Sequence, residues 1–443
     1  MNFANLQALM QKKQYAKLID NLAKSHYADI GEFINQLDTK ESILVFRLLP
    51  KKVAAEVFAY LDPESQAQIS MQINEKELHD ILNELYFDDK IDFLEEMPAN
   101  VVKRILRNSP ESERKLINQF LNYPEDSAGS LMTIEFVDLK KEMTVEEALA
   151  RIREIALDRE TIYTCYVTDA FRHLEGIVSL RDLVIARPEQ KLEEIMQKRM
   201  VAATTLDDKE YVADLIKKYD LLAIPVTDIE RRLVGIITVD DIVDVIEDEN
   251  TKDIHKMASV GEIDINLLCA SPLFLIKKRL PWLLVLIFVN IFSGLGLAYF
   301  ENTIQAVISL VFFLPLLINS AGNAGSQSSA LMVRALALGD VNKNDWFKLL
   351  KKEVVVALLL GLAMSLAVSV IGVFNSTFDV AIVVALSMLS IVLIGSTIGM
   401  SLPFLLSKLN LDPATASGPL VTSIADIAGV IVYFSIATWY FKL

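Results

Sequence analysis

With 443 residues, 52% of them hydrophobic, and 43 bases against 58 acids, the chain is too apolar for one soluble domain and too charged for a purely intramembrane one. The net charge of −15 disfavours nucleic acid and anionic lipid surfaces as partners and favours counter-cations. Two unrelated cysteines, Cys165 and Cys269, and four scattered histidines exclude a disulfide framework and a zinc or copper pattern. Any metal would meet oxygen ligands, which suits magnesium, calcium or manganese.

Residues 1–125 read as a helical domain. The first twenty residues are charged and lack an apolar core, so no secretory signal is expected and the N-terminus is placed in the cytoplasm. Further on, LLPKKVAAEVFAYLDPESQAQI from Leu48 is echoed by EMPANVVKRILRNSPESERKLI from Glu96, with Pro50 matching Pro98 and Pro63 matching Pro110. Such a repeat of short helices predicts an all-α superhelical stack. Asp88 and Asp92, one helical turn apart, read by spacing alone as a solvated face.

Residues 126–246 switch to alternating strands and helices, and they repeat. CYVTDAFRHLEGIVSLRDLV, Cys165 to Val184, aligns without a gap on IPVTDIERRLVGIITVDDIV, Ile224 to Val243, with nine of twenty positions identical. Each copy ends in a glycine, a strand, a hydroxyl and an acid: Gly176, Ser179 and Asp182 in the first, Gly235, Thr238 and Asp241 in the second. The pair resembles a tandem CBS module, an α/β fold. The resemblance implies adenine nucleotide binding at Ser179, Arg181, Asp182 and Thr238, beside helix starts that favour anions.

Residues 247–272 form an acidic connector. VDDIVDVIEDENTKDIHKM, from Val239, alternates acids and apolar residues at helical spacing and leads to Lys277, Lys278 and Arg279. Residues 273–443 hold only ten bases and seven acids, so the part before them carries about −18. Five spans are expected: Pro281–Phe300, Ile304–Leu338, Val354–Phe374, Val380–Leu406 and Ala414–Phe441. The bases lie before the first span, after the second and after the fourth. They place the N-terminus inside, the C-terminus outside, and the chain in the plasma membrane as a multi-pass protein. The second span is too long, and PLLINSAGNAGSQSS within it predicts a broken helix whose freed carbonyls could hold a cation. Asp426, a lone carboxylate near the middle of the last span, costs roughly 2.5–3.5 kcal/mol to insert and calls for a cation partner.

This order of parts, with Pro315, Gly322, Asn323, Gly325 and Gln327 in span two and Asp412, Pro413, Ser417, Pro419 and Asp426 around span five, resembles the MgtE family of magnesium channels. The resemblance implies a homodimer in the bilayer with a pore on its two-fold axis. Asp426, Asn323, Gly322, Ser326 and Thr422 would line the ion site. It further implies a magnesium sensor built from Glu56, Asp88, Asp92, Glu210, Asp220, Asp241, Asp244, Glu249, Asp253 and Asp412, which closes the pore when cytosolic magnesium is high. Relatives often carry asparagine where this chain has Ser326, and an acid where it has Lys252. The expected ion is Mg2+, with Mn2+ and Co2+ as alternatives and ATP as a regulator. The competing reading is a nucleotide-sensing membrane receptor without transport. No Ser–His or Cys–His pair supports an enzyme.

Overall fold

A computed structural model of the chain describes all residues except 1, 2, 264–266, 268 and 269, so Cys269 lies outside the described residues. The chain divides into two compact units, residues 1–247 and 248–443.

The first unit begins with ten short helices of eight to ten residues between Phe3 and Phe120. The repeated prolines start helices, where a missing N–H costs nothing. Pro50, Pro98 and Pro110 immediately precede helices, and Pro63 opens one capped by Asp62. From Tyr27 to Asn108 each helix packs on the second one after it, which produces the expected superhelical stack. Phe58 and Phe93 meet edge-on at 5.2 Å in the core, and burying each contributes roughly 1.5–3 kcal/mol. Helix α1, Phe87–Glu96, buries Phe87, Ile91, Phe93 and Leu94.

Two three-stranded sheets follow, each with a parallel and an antiparallel pair. In the first, β1 (Val137–Lys140) and β3 (Leu174–Ser179) flank β2 (Thr164–Thr168); helix α2, Leu180–Ile185, follows directly. In the second, β4 (Ala203–Thr204) and β6 (Leu233–Thr238) flank β5 (Ala223–Thr227). The duplication reaches fine geometry. A bulge follows Val167 in one copy and Val226 in the other. Arg172 and Arg231 take the left-handed conformation in the equivalent hairpin turns. Each turn is tied by an aspartate: Asp169 accepts from the amides of Phe171 and His173, and Asp228 from those of Glu230 and Arg232. These bonds explain why the aspartate recurs in both copies. Helix α3, Val239–Met257, begins directly at the end of β6 and continues unbroken into the acidic connector as far as Met257.

Among the described residues, the second unit holds five helices long and apolar enough to cross a membrane: α4 (Pro272–Tyr299), α5 (Leu314–Ala337, preceded by a 3-10 turn from Ile308), α6 (Trp346–Asn375), α7 (Phe378–Lys408) and α8 (Gly418–Phe441). No residue of α4 is buried within the chain, whereas half of the most apolar stretch of α7 is. The expected break in span two is corrected. The GNAGSQ stretch lies inside the continuous helix α5, its carbonyls committed to helical bonds, and the irregular segment lies upstream, from Val307 to Phe313. The glycines serve close packing instead. A Cβ on Gly395 of α7 would lie 2.5 Å from the carbonyl oxygen of Ala321, and one on Gly399 would overlap that of Gly325.

Candidate metal centres

The intramembrane site is built on α5 and α8. Ser417 caps α8 by accepting from the amide of Leu420, and Thr422 and Asp426, one turn apart, point along one face. Gly322 makes room for Thr422, since a Cβ there would lie 2.6 Å from the threonine methyl group. Ser326 donates to the carbonyl of Gly418 at 3.2 Å, and its hydroxyl lies 3.0 Å from that of Thr422. Gly322, Ser326 and Thr422 are thus brought together as expected of a common wall. Asn323 faces outward from the isolated chain, as does Gln327 four residues on. The Oδ1 atom of Asp426 is shielded from solvent and has no hydrogen-bond partner among the described residues. An unpaired carboxylate oxygen at that depth is costly unless a cation or a protonated partner meets it.

A second group of carboxylates gathers in the first unit. The solvated face expected of Asp88 and Asp92 is corrected: Asp88 is only 8% exposed, drawn inward with Phe87 and Ile91, and only Asp92 reaches solvent. The Oδ1 of Asp88 has no hydrogen-bond partner among the described residues. Burial first, and then the charges of Asp241, Glu160 and Asp89, push its carboxyl up to about 9. Asp241 is raised to about 6 by burial and Asp240, against the pull of a hydrogen bond from Thr238. Glu160 rises to about 8 by burial and by Asp241, Asp240, Asp89 and Glu135, and among the described residues its buried Oε2 also has no hydrogen-bond partner. Glu56 adds to the field on Asp89. Asp89, Glu135 and Glu160 were not legible as site residues, since they stand in no motif, and Asp240, beside Asp241 in the repeat, is not among the expected ones; the four meet only through the tertiary fold. Glu135 is fixed by accepting from the Phe87 amide at the start of α1, and its own carbonyl accepts from the Glu160 amide.

Glu210 and Asp220 are set apart from each other, at opposite ends of the helix Lys209–Tyr219 and about 15 Å apart along its axis. Asp244 is exposed on α3. In the second unit Glu249 accepts from Lys252 at 2.7 Å, so an internal ammonium already serves it. Asp253 is raised by burial and then by Asp412, and Asp412 accepts from Lys256 at 2.7 Å. Among the described residues no three or more His, Cys, Asp or Glu side chains are arranged to hold a metal ion by themselves. This donor set fits an ion that keeps several waters, as magnesium does.

The expected nucleotide residues are organised in two equivalent pairs. The hydroxyl of Ser179 donates to Asp182 at 2.6 Å and accepts from its amide, and Thr238 donates to Asp241 at 2.6 Å. Arg181 is exposed, while Thr238 is buried with its hydroxyl committed to Asp241.

Comparison with known proteins matches residues 314–436 to a family described as a divalent cation transporter, residues 25–126 to the MgtE intracellular N domain, and residues 128–189 and 192–248 to CBS domains. The chain is 39% identical over 98% of its length to the magnesium transporter MgtE of Thermus thermophilus, 97% of which is covered. It is 33% identical over 95% of its length to that of Bacillus subtilis, covering 96% of it. Among solved structures, the cytosolic domain of the Mg2+ channel MgtE in complex with ATP matches 55% of this chain and all of its own, at 39% identity and a TM-score of 0.52. The soluble part of a magnesium transporter matches 56% of this chain and 97% of its own, at 32% identity and a TM-score of 0.51.

Proposed function

Because the chain belongs to the MgtE family of magnesium transporters, we propose that Asp426 binds the magnesium ion it carries across the membrane, with Gly322, Asn323, Ser326 and Thr422 lining the path. The protein is a membrane-embedded transporter and not an enzyme. The observation that carries the assignment of the site is the shielded, unpartnered oxygen of Asp426 beside the Ser326–Thr422 pair.

The active form is a homodimer. Asn323 and Gln327 project from α5 at membrane depth and need a polar counterpart, which a second copy supplies around a two-fold axis. Symmetry then sets two Asp426 carboxylates against one divalent ion. The basic residues cluster at the start of α4, between α5 and α6, and at the end of α7. That bias supports a cytoplasmic N-terminus in the plasma membrane and a C-terminus on the far side.

The soluble carboxylates act as the sensor: Glu56, Asp88, Asp92 and Asp241 at the junction of the first unit, Glu210, Asp220 and Asp244 on its surface, and Glu249, Asp253 and Asp412 near the membrane. Two carboxylates about 6 Å apart repel by nearly 3 kcal/mol at an effective dielectric near 20, and a cation between them reverses that sign. A full shift from open to closed needs about 5.5 kcal/mol, so several ions must act together. The relative crystallised with ATP supports nucleotide binding at Ser179, Arg181, Asp182 and Thr238. Mn2+ and Co2+, also divalent, are the competing cargo.

The deciding experiment is influx into proteoliposomes carrying the full chain or Asp426→Asn, with Mg2+, Mn2+ and Co2+ in separate arms. Loss of influx in a variant that still folds and dimerises is expected. Unchanged magnesium influx would overturn the site.

A further inference from the structure

The C-terminal end of α3 meets the turn before α8 through contacts that the sensor carboxylates do not explain. Ser259 ends the helix in the left-handed conformation, φ +56°. The Val260 amide bonds the His255 carbonyl and the Ser259 amide bonds that of Lys256, a helix stop in which glycine or asparagine is the usual residue. A serine there carries a backbone cost that glycine would avoid. Its hydroxyl lies 2.6 Å from that of Ser417, and the two residues are 5% and 0% exposed. Ser417 is also the cap of α8.

The neighbouring contact acts on the same turn. Lys256 donates to Asp412 at 2.7 Å, and the other oxygen of Asp412 accepts from the Ala414 amide. Met257 packs against the buried cluster of Val333, Ala414 and Ala416. On the opposite side Ser329 donates to the Ala416 carbonyl and Ser326 to that of Gly418. The start of α8 is therefore held between α5 and the end of α3, and Asp426 stands nine residues beyond Ser417, about 13 Å along the helix.

We propose that Ser259 and Lys256 are positioning residues for the ion site: they clamp the Asp412–Ser417 turn to the end of α3, so that movement of α3 is passed to the helix that carries Asp426. The inference rests on the reading of Asp426 as ion ligand and of magnesium as the signal. Lys256 also acts as a fixed cation on Asp412, doing there without exchange what a bound divalent ion would do elsewhere. Strain held at Ser259 is kept because its hydroxyl serves Ser417.

The test is magnesium influx into proteoliposomes of the full chain, with magnesium varied on the side of the soluble unit, paired with hydrogen exchange at Leu420 and Val421. Ser259→Gly fits the backbone without strain and removes the short side chain whose hydroxyl meets Ser417. It is expected to raise the half-inhibiting magnesium concentration about fivefold and to speed exchange at both amides. Lys256→Met should act in the same direction, and Lys256→Arg should restore wild-type behaviour. Wild-type inhibition curves and wild-type exchange in Ser259→Gly and Lys256→Met would overturn the clamp, as would a loss of thermal stability with an unmoved midpoint. If the wild-type chain itself ignores magnesium, the gating reading fails and the clamp falls with it; the wild-type arm separates the two failures.

Discussion

Gly399 in α7 lies against the backbone carbonyl of Gly325 in α5 so closely that no side-chain atom fits between them. One turn earlier, Gly395 approaches the carbonyl of Ala321 in the same way. These contacts fix α5 against α7, and Gly322 and Ser326 of α5 then meet Thr422 and Gly418 of α8. Lipid tails supply no hydrophobic force between helices, so close backbone packing is the main source of this order.

Gly399→Ala should therefore destabilise the membrane unit by about 1–3 kcal/mol or more, since the added methyl must push two backbones apart. Gly294→Ala is the control, because nothing lies within 4 Å of a Cβ there. Thermal unfolding in detergent should separate the two; equal melting temperatures would show that the α5–α7 contact is not tight.

The carboxylate junction of the first unit should be pH-sensitive when divalent ions are chelated. Asp88 has its carboxyl raised from 3.8 to about 9, and Glu160 is raised to about 8. A folded state that holds protons which the unfolded state has released loses stability as pH rises. Unfolding temperature should thus fall steadily between about pH 4 and pH 9. Asp88→Asn should flatten the slope, and so should added magnesium, which offsets the charge without a proton. A stability that rises over this range would refute the assignment.

Lys252 should blunt the sensor near the membrane, because its ammonium already serves Glu249. Lys252→Gln frees that carboxylate for a divalent ion. A partly exposed ion pair is worth about 0.2–1 kcal/mol, so the half-inhibiting magnesium concentration should drop by roughly 1.5- to fivefold in flux assays. A midpoint that moves upward would show that the pair supports closure instead.

Nucleotide binding should depend on Asp182, whose carboxylate is oriented by Ser179. Asp182→Asn replaces a charged acceptor, and losing a charge-assisted bond of about 1.5–3 kcal/mol should weaken ATP binding at least tenfold. Titration calorimetry on the full chain measures it. Wild-type affinity in the variant would move the site away from this copy.

The sequence by itself determined the order of parts, the helical stack, the duplicated α/β module and the five apolar spans. These are carried by local signals: prolines at helix starts, a 59-residue repeat that fixes even the aspartate-bonded hairpin turns, and runs of apolar residues longer than a bilayer is thick. Asp426 stood out for the same reason, as one charge in an apolar helix. Only the tertiary structure decided how those pieces meet. It kept α5 continuous through GNAGSQ, because the glycines there serve helix contact and not a break. It buried Asp88 among core residues of α1, and it brought Asp241 and Glu160 into the field around that carboxylate and Glu135 and Asp240 into the field around Glu160. It also set Lys256 on Asp412 and Ser259 on Ser417 across more than 150 residues of chain. Contacts at that separation leave no periodic trace, since each depends on two distant segments being folded into place at once.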